Sequence, residues 1–240
     1  MSGHSKWSTI KRKKGAKDAK RGAEFTRLGK DITLAAREGG GDISMNAALR
    51  LAVKKAKSSN MPNDNIERAI KKGTGDLPGV HYESYIYEGY GPHGIALLIE
   101  VLTDNKNRTV PEIRHLLSKN NGNLGESGCV NWMFEKKGTI LINKSNLDEE
   151  QFLNDLLELN IENFEELDDE YQLLIEPEDF GTITTELENK NYNLEGDLSL
   201  VPTNTITVNS QHLDQISKLI ETLEDHDDIQ KVHTNLEVAD

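Results

Sequence analysis

The chain has 240 residues, of which 35% are hydrophobic, and 28 Lys+Arg against 41 Asp+Glu give it a formal net charge of −13 at pH 7. Its longest uninterrupted apolar stretch spans only residues 95–99, whereas a membrane-spanning helix needs about 20 apolar residues, and the basic amino terminus lacks the apolar stretch of a secretory signal peptide. Cys129 is the only cysteine, which excludes an intrachain disulfide and a cysteine-based zinc site and favours a cytoplasmic location.

The charge is distributed unevenly along the chain. Residues 1–75 hold 18 Lys+Arg and 7 Asp+Glu, a net charge of +11. Residues 76–137 have a net charge of −2, and residues 138–240, with 4 basic and 26 acidic side chains, have −22. Such asymmetry indicates that one part of the chain binds a charged partner.

The basic part has the periodicity of a small helical domain. A first helix is predicted over residues 16–38 and ends at the three glycines 39–41, and a second runs from about 42–44 to 58. A third follows Pro62, with Asp64 as N-cap in a capping-box pattern, and ends at Gly73. The apolar stripes of the first two helices are Phe25, Leu28, Ile32 and Ala35, and Ala48, Leu51, Ala52 and Ala56.

Strand and helix patterns alternate after a glycine- and proline-rich linker. The first run is β-β-α-β, and the second run, β-α-β-β-α-β, has the order of a ferredoxin-like split βαβ unit. A final strand, helix and strand close the chain. The predicted ranges are strands at 82–87, 95–102 and 130–134 with a helix at 109–120; strands at 139–142, 163–167, 171–175 and 194–201 with helices at 147–159 and 177–189; and a strand at 206–208, a helix at 211–224 and a strand at 229–236.

The first α+β run, β-β-α-β, lacks a closing helix and strand, and the last helix and strand of the chain supply them. We therefore predict an α+β protein of three domains, in which a helical N-terminal domain is followed by two ferredoxin-like α+β domains, one inserted into the other. The predicted boundaries are 1–75 for the basic domain, 76–136 plus 205–240 for one α+β domain, and 137–204 for the inserted acidic domain. The alternative is three sequential domains with the final helix and strand as an appendage.

No catalytic set is found in the sequence. The seven histidines form no HExxH motif, and no Walker A or GxGxxG loop is present. The segment around Ser127 departs from a nucleophile elbow because Cys129 replaces the final glycine. We therefore predict that the protein is not an enzyme and binds neither a cofactor nor a metal.

The strongest functional signal is electrostatic. Eight basic residues and one acid, Asp18, lie between Lys6 and Arg21. Phosphate backbones attract such a surface, since each neutralised phosphate releases counterions, whereas an isolated lysine usually belongs to a solvated face. The candidate nucleic-acid-binding residues are Lys6, Trp7, Lys11, Arg12, Lys13, Lys14, Lys17, Lys20, Arg21, Arg27, Lys54, Lys55, Lys57, Lys71 and Lys72.

Two further features have alternative interpretations. Trp7 either stacks on a base or anchors the N-terminal arm to the helices. A second group of polar residues lies on or beside the helix at 109–120 and its following loop, where glycines allow a close backbone approach. This group forms either a second contact with RNA or protein or an ordinary helix–strand connection; its members are Arg108, Arg114, Lys119 and Asn123.

Several long motifs resemble the YebC/PmpR family over essentially the whole chain. They are Met1-Ser2-Gly3-His4-Ser5-Lys6-Trp7, Asp18-Ala19-Lys20-Arg21-Gly22, Asn60-Met61-Pro62, Tyr87-Glu88-Gly89-Tyr90-Gly91-Pro92, Leu102-Thr103-Asp104-Asn105 with Asn107-Arg108-Thr109, and Gly122-Asn123-Leu124-Gly125. The resemblance implies a helical N-terminal domain and two α+β domains. Because the chain starts with the opening motif of the family, we expect a bacterial, cytoplasmic form.

The resemblance implies two functions that composition does not distinguish. One is a DNA-binding transcriptional regulator that uses the basic helical domain, although no helix-turn-helix or base-reading set is evident in the sequence. The other is a ribosome-associated translation factor that binds ribosomal RNA and relieves stalling. In both cases the partner is a nucleic acid and no membrane is involved; without a dimerisation seam, a monomer is favoured.

Overall fold

The computed structural model describes residues 21–78, 81–145 and 147–238. Three helices come first: α1 (Arg21–Gly39), α2 (Ala47–Ser58) and α3 (Asn63–Thr74). Mixed α+β structure follows, so the predicted class of a helical region before α+β sheets is confirmed. None of the helices in these ranges has the length and apolarity that crossing a membrane requires.

The start of α2 is corrected from residues 42–44 to the residue after Asn46. The Asn46 side-chain oxygen accepts the backbone N–H of Leu49 at 3.0 Å, and its amide group donates to the carbonyls of Ala35 at 2.8 Å and Gly40 at 2.9 Å. Asn46 therefore caps α2 and at the same time satisfies carbonyls at the end of α1.

The capping box predicted for α3 is wrong. Pro62 is the N-cap without a side-chain hydrogen bond, and Asp64 lies in the first turn. The helix also continues past Gly73 and ends at Gly75, whose φ of 82° is the left-handed conformation typical of a C-cap. Gly73 serves helix packing instead, because a Cβ there would lie 2.3 Å from the carbonyl oxygen of Thr33 on α1.

Ten strands and four further helices complete the described part of the chain. They are β1 (Glu83–Tyr90), β2 (Ala96–Thr103), α4 (Lys106–Lys119), β3 (Asn123–Leu124), β4 (Phe134–Asn143), α5 (Glu149–Leu156), β5 (Asn163–Glu166), β6 (Glu170–Ile175), α6 (Phe180–Asn189), β7 (Leu194–Pro202), β8 (Ile206–Val208), α7 (Leu213–Glu224), β9 (Ile229–Thr234) and β10 (Leu236–Val238). The strand predicted at 130–134 is replaced by a 3-10 turn at Asn131–Met133, after which β4 begins.

The later sheet has the strand order β5-β6-β4-β7, which is the ferredoxin-like order. β6 pairs antiparallel with both β4 and β5. The core of this sheet contains Phe152 from α5 and Phe180 and Leu187 from α6, each at most 2% exposed. The helix predicted to begin at Pro177 begins at Phe180.

The earlier sheet has the order β3-β1-β2-β9, and its described pairings are antiparallel. The β1–β2 hairpin forms the centre of this sheet, whereas a ferredoxin-like sheet has its first and third strands there, so the strand order differs from the predicted type. Alternate residues of β2, from Leu97 to Val101, pack with α4 and α7 in one core. β8 and β10 form a separate parallel pair.

The described chain forms two compact units. One contains residues 21–76 and Lys136–Ser199, and the other contains residues 77–135 and 200–238. The first unit therefore joins the basic helices to the β5-β6-β4-β7 sheet, called the acidic sheet below because most of it lies in the residues of net charge −22, and the second contains the β1–β2 sheet. The three-domain boundaries given above stay a prediction.

Candidate nucleic-acid interface

Most of the predicted N-terminal contact residues lie outside the described residues. This applies to Lys6, Trp7, Lys11, Arg12, Lys13, Lys14, Lys17 and Lys20, and to the side chain of Arg21. The candidates that the structure describes fall into three groups, on α2, on α1 and α3, and on α4 with β3.

The basic edge of α2 contacts one carboxylate on helix α6 and one on strand β7 of the acidic sheet. Lys55 Nζ lies 2.8 Å from an oxygen of Glu195, and Lys54 Nζ lies 3.6 Å from Glu188. Arg50, which sequence analysis did not select, also pairs with Glu188 at 3.2 Å. Burial lowers the pKa of Lys55, but the hydrogen bond and charge of Glu195 outweigh this effect and raise it overall. Lys54 and Lys55 are thus already partly neutralised within the chain.

An apolar contact underlies these ion pairs. Leu51 of α2 is 4% exposed and belongs to the core of the acidic sheet, where Ala47 and Ala48 pack beside it. Leu49 and Val53 face the opposite way, into the core of the three helices. The basic edge of α2 is therefore held against the acidic sheet by packing as well as by charge.

The other helical candidates are more accessible. Arg27 on α1, Lys57 near the end of α2 and Lys71 on α3 are exposed, and Lys72 is half-buried. Arg68, another residue that sequence analysis missed, is exposed one turn before Lys71 on α3. Residues three apart are neighbours on a helix, so the Arg68–Lys71 spacing could have identified this pair.

Arg108, one of the residues of the predicted second contact, is itself exposed, but its guanidinium contacts a buried network of Asp228, Thr103 and Thr109. Its guanidinium donates to Asp228 at 2.8 Å and to Asp104 at 3.0 Å. The same Asp228 oxygen accepts the hydroxyls of Thr109 at 2.6 Å and Thr103 at 3.0 Å. Burial raises the pKa of Asp228, but these hydrogen bonds outweigh it, so the pKa is lowered overall.

The other three members of that group are exposed as well. Arg114 and Lys119 lie on the outer side of α4, and Asn123 lies in β3, opposite Tyr90 of β1. Glu88 of the same hairpin is 7% exposed and accepts three backbone N–H groups of the loop after β3, from Gly128 at 2.6 Å, Val130 at 2.7 Å and Asn131 at 2.8 Å.

Glu88 stays ionised in this position. Burial raises its pKa, but the three backbone donors lower it more. Glu88 was not among the predicted functional residues. Its position opposite the apolar strand β2 could have indicated a buried carboxylate, and a buried carboxylate needs hydrogen-bond donors. Within the described ranges, no group of three or more His, Cys, Asp or Glu side chains is arranged to hold a metal ion.

Comparison with known proteins gives consistent matches along the chain. The family model described as the TACO1/YebC protein N-terminal domain matches residues 5–76, and the model of the TACO1/YebC second and third domain matches residues 82–236. Relatives named "Probable transcriptional regulatory protein" include one from Desulfotalea psychrophila, 52% identical over 99% of this chain and 96% of the relative, and one from Halothermothrix orenii, 50% identical over 100% and 96%.

A solved structure is also similar over most of the chain. The crystal structure of a conserved hypothetical protein from Aquifex aeolicus has a TM-score of 0.79 and 39% sequence identity, and the match covers 93% of both chains. The name of that protein describes no activity. The similarity therefore shows a shared fold over most of the chain.

Proposed function

The chain belongs to the TACO1/YebC family, and on this basis we propose that it is a cytoplasmic regulator of gene expression that binds DNA through its basic N-terminal helical domain. Family membership confirms the resemblance inferred from the motifs. The relatives named above are called transcriptional regulatory proteins, which is not the name of an enzyme class. The single observation that carries the proposal is the net charge of +11 in residues 1–75.

The uneven distribution of charge along the chain indicates which surface meets the nucleic acid. A duplex carries one negative charge per about 1.7 Å of its axis, and cations that replace its counterions gain free energy. The acidic remainder, with a net charge of −22 in residues 138–240, repels the same phosphates. Phosphate contacts are therefore restricted to the N-terminal segment and to cations that the acidic sheet does not neutralise.

α3 is the helix that best fits base contacts in this proposal. It follows α2 after a connection of four residues, 59–62, which is the length of a helix-turn-helix connection. Asn65 and Arg68 are exposed on α3, and these residue types read adenine and guanine edges in the major groove. The N-terminal basic segment and Lys71 would supply phosphate contacts around it.

A ribosome-associated translation factor is the second candidate. The exposed face of α3 also carries Asp64 and Glu67 beside Arg68. These carboxylates weaken insertion between two phosphate backbones, but they are compatible with docking on folded RNA by shape. In this case the same basic segment would bind ribosomal RNA.

Charge reversal in the N-terminal segment tests the proposal directly. We expect that changing Lys11, Arg12, Lys13 and Lys14 together to Glu abolishes binding of fluorescent duplex DNA and of ribosomes at physiological salt. Changing Lys11, Lys13 and Lys14 to Arg keeps the charge and should keep the binding. If both affinities survive the charge reversal, the N-terminal domain is not the binding surface.

A competition experiment separates the two candidates. The protein is bound to fluorescent promoter DNA at physiological salt, and ribosomes or unlabelled DNA of different sequences are added as competitors. Preference among DNA sequences supports the regulator. Displacement by ribosomes far below the concentration at which any DNA competes, with no preference among DNA sequences, overturns the regulator in favour of the translation factor.

A further inference from the structure

Trp132 is a large aromatic side chain that contributes little to the core. The residue is 64% exposed, while Val130 and Phe134 on either side of it are 0% and 7% exposed and pack against β2. Trp132 is the middle residue of the 3-10 turn Asn131–Met133, between these two buried side chains. The chain is thus anchored on both sides of an indole that remains in solvent.

The loop that carries Trp132 is held by a buried carboxylate. The three hydrogen bonds from backbone N–H groups to Glu88 span residues 128–131, immediately before the indole. Tyr90 adds a hydrogen bond from its hydroxyl to the carbonyl of Cys129 at 3.2 Å. Gly125 allows the loop to pack closely on itself, because a Cβ at this position would lie 2.5 Å from Cys129 Sγ.

The indole itself is oriented by the same carbonyl. Trp132 Nε1 donates to the Cys129 oxygen at 3.2 Å, so its one polar group is satisfied within the protein. A flat ligand that covers the ring therefore removes apolar surface from water without leaving the N–H unpaired. Because the loop is already ordered, little conformational entropy is lost on contact.

We propose that Trp132 is a stacking site for an unpaired nucleobase in a single-stranded segment of nucleic acid. The class of ligand rests on the proposed function. Exposed Glu126 and Glu135 lie in the same segment, so this site suits the neutral face of a base and disfavours phosphate. The neighbouring Ser127 and Asn131 are exposed and polar, so they do not extend the indole into the contiguous apolar patch that marks many protein–protein contacts.

The stacking contact has a characteristic dependence on salt. Phosphate contacts weaken steeply as salt rises, whereas stacking on an uncharged ring does not depend on counterion release. The contribution of Trp132 to affinity should therefore stay constant between low and physiological salt, while the total affinity falls. This behaviour distinguishes a base contact from another cationic contact.

Intrinsic fluorescence tests the site. In a Trp7→Phe background, Trp132 is the only tryptophan of the chain, and eight-nucleotide RNA and DNA oligomers are titrated at two salt concentrations. We expect quenching of Trp132 by the oligomers and about 5- to 150-fold weaker binding of a labelled oligomer after Trp132→Ala, the range for loss of one stacked base. Trp132→Phe, which keeps an aromatic ring, should retain most of the affinity. Comparison of the affinities for the RNA and DNA oligomers shows which kind of nucleic acid supplies the base.

The outcomes separate this inference from the proposed function. If oligomers bind to the Trp7→Phe protein without quenching, or bind equally well to folded Trp132→Ala protein, the stacking site is wrong while nucleic-acid binding stands. Quenching by a basic peptide but by neither oligomer overturns it in favour of a protein contact. If the unmodified chain binds neither duplex nor oligomer, the proposed function fails as well.

Discussion

Two buried carboxylates organise the unit that contains the β1–β2 sheet. Glu88 collects backbone donors of the loop before β4, and Asp228 collects the hydroxyls of Thr103 and Thr109. Each carboxylate stays ionised because hydrogen bonds to the charged form outweigh the effect of burial on its pKa. In each case one side chain connects segments that are distant in sequence.

Removal of the Asp228 carboxylate is expected to destabilise the protein. Asp228→Ala removes the charged acceptor of Thr103, Thr109 and Arg108 and leaves the two hydroxyls with weaker neutral partners, which costs about 1–3 kcal/mol of unfolding free energy. Chemical denaturation followed by circular dichroism measures the loss, and Asp227→Ala, which removes an exposed carboxylate next to it, is the control. Equal stability of the two variants would contradict the network.

The pH dependence of this loss has a defined sign. The pKa of Asp228 is lower in the folded protein than in the unfolded chain, so its contribution is fully present above the unfolded pKa. It disappears as the pH falls through the folded pKa. The stability difference between the unmodified protein and Asp228→Ala should therefore shrink in acid and stay constant near neutral pH.

The three hydrogen bonds to Glu88 should protect the backbone amides of residues 128–131 from hydrogen exchange. Glu88→Gln replaces an acceptor of three N–H groups by a side chain with only one acceptor oxygen, so amides of residues 128–131 should exchange about 10- to 100-fold faster, equivalent to about 1–3 kcal/mol. Hydrogen exchange measured by mass spectrometry tests this. Glu126→Gln changes an exposed carboxylate of the same loop and should leave the exchange unchanged. A similar increase in both variants would show that Glu88 does not hold the loop.

At the scale of elements, α2 has two apolar faces where the sequence predicted one stripe. Leu49, Val53 and Ala56 pack within the helices, and Leu51 packs into the acidic sheet. The predicted stripe of Ala48, Leu51, Ala52 and Ala56 mixes these faces, because helical periodicity does not identify the partner of each face. α2 is thus shared between the basic helices and the acidic sheet.

The close crossing of α1 and α3 depends on Gly73. Gly73→Ala places a methyl group 2.3 Å from the Thr33 carbonyl oxygen and 2.9 Å from the Ala36 Cβ, and overpacking of this kind costs about 1–3 kcal/mol. The matched control is Gly29→Ala on α1, where the nearest atom outside the helix lies 3.7 Å away. This change should be neutral or stabilise by up to about 1 kcal/mol, because glycine is a poor helix former. Thermal unfolding of both variants measures the contrast, and a stable Gly73→Ala protein would contradict the crossing.

At the scale of the whole molecule, the net charge of −13 combines a basic region with a strongly acidic one. The structure shows that the two regions contact each other, through Lys54 and Lys55 on α2, Glu188 on α6 and Glu195 on β7. The acidic sheet therefore occupies some of the cations that sequence analysis assigned to nucleic acid. Exposed pairs of this kind are individually weak, so a polyanion can compete for them.

Release of these cations should strengthen polyanion binding. Glu188→Gln combined with Glu195→Gln frees Lys54 and Lys55, and we expect about 2- to 10-fold tighter binding of labelled nucleic acid at moderate salt, equivalent to about 0.4–1.4 kcal/mol. The control is Glu150→Gln with Glu158→Gln, on and just after α5, which changes the net charge equally. Fluorescence anisotropy measures the affinities; an equal increase in both double variants would indicate a net-charge effect and not the release of particular lysines.

The sequence by itself determined most of the elements, their order and the segregation of charge, because these depend on the composition and periodicity of neighbouring residues. The strand predicted at 130–134 is wrong for a tertiary reason: Val130 and Phe134 are buried, but the backbone between them forms a 3-10 turn, and the N–H groups of Val130 and Asn131 donate to Glu88 and not to a neighbouring strand. Only the tertiary structure decided the partners of the charged groups. Arg108 meets Asp228 across 120 residues, and Lys55 meets Glu195 across 140, and no local pattern encodes contacts over such distances, since they arise only when separate elements pack together.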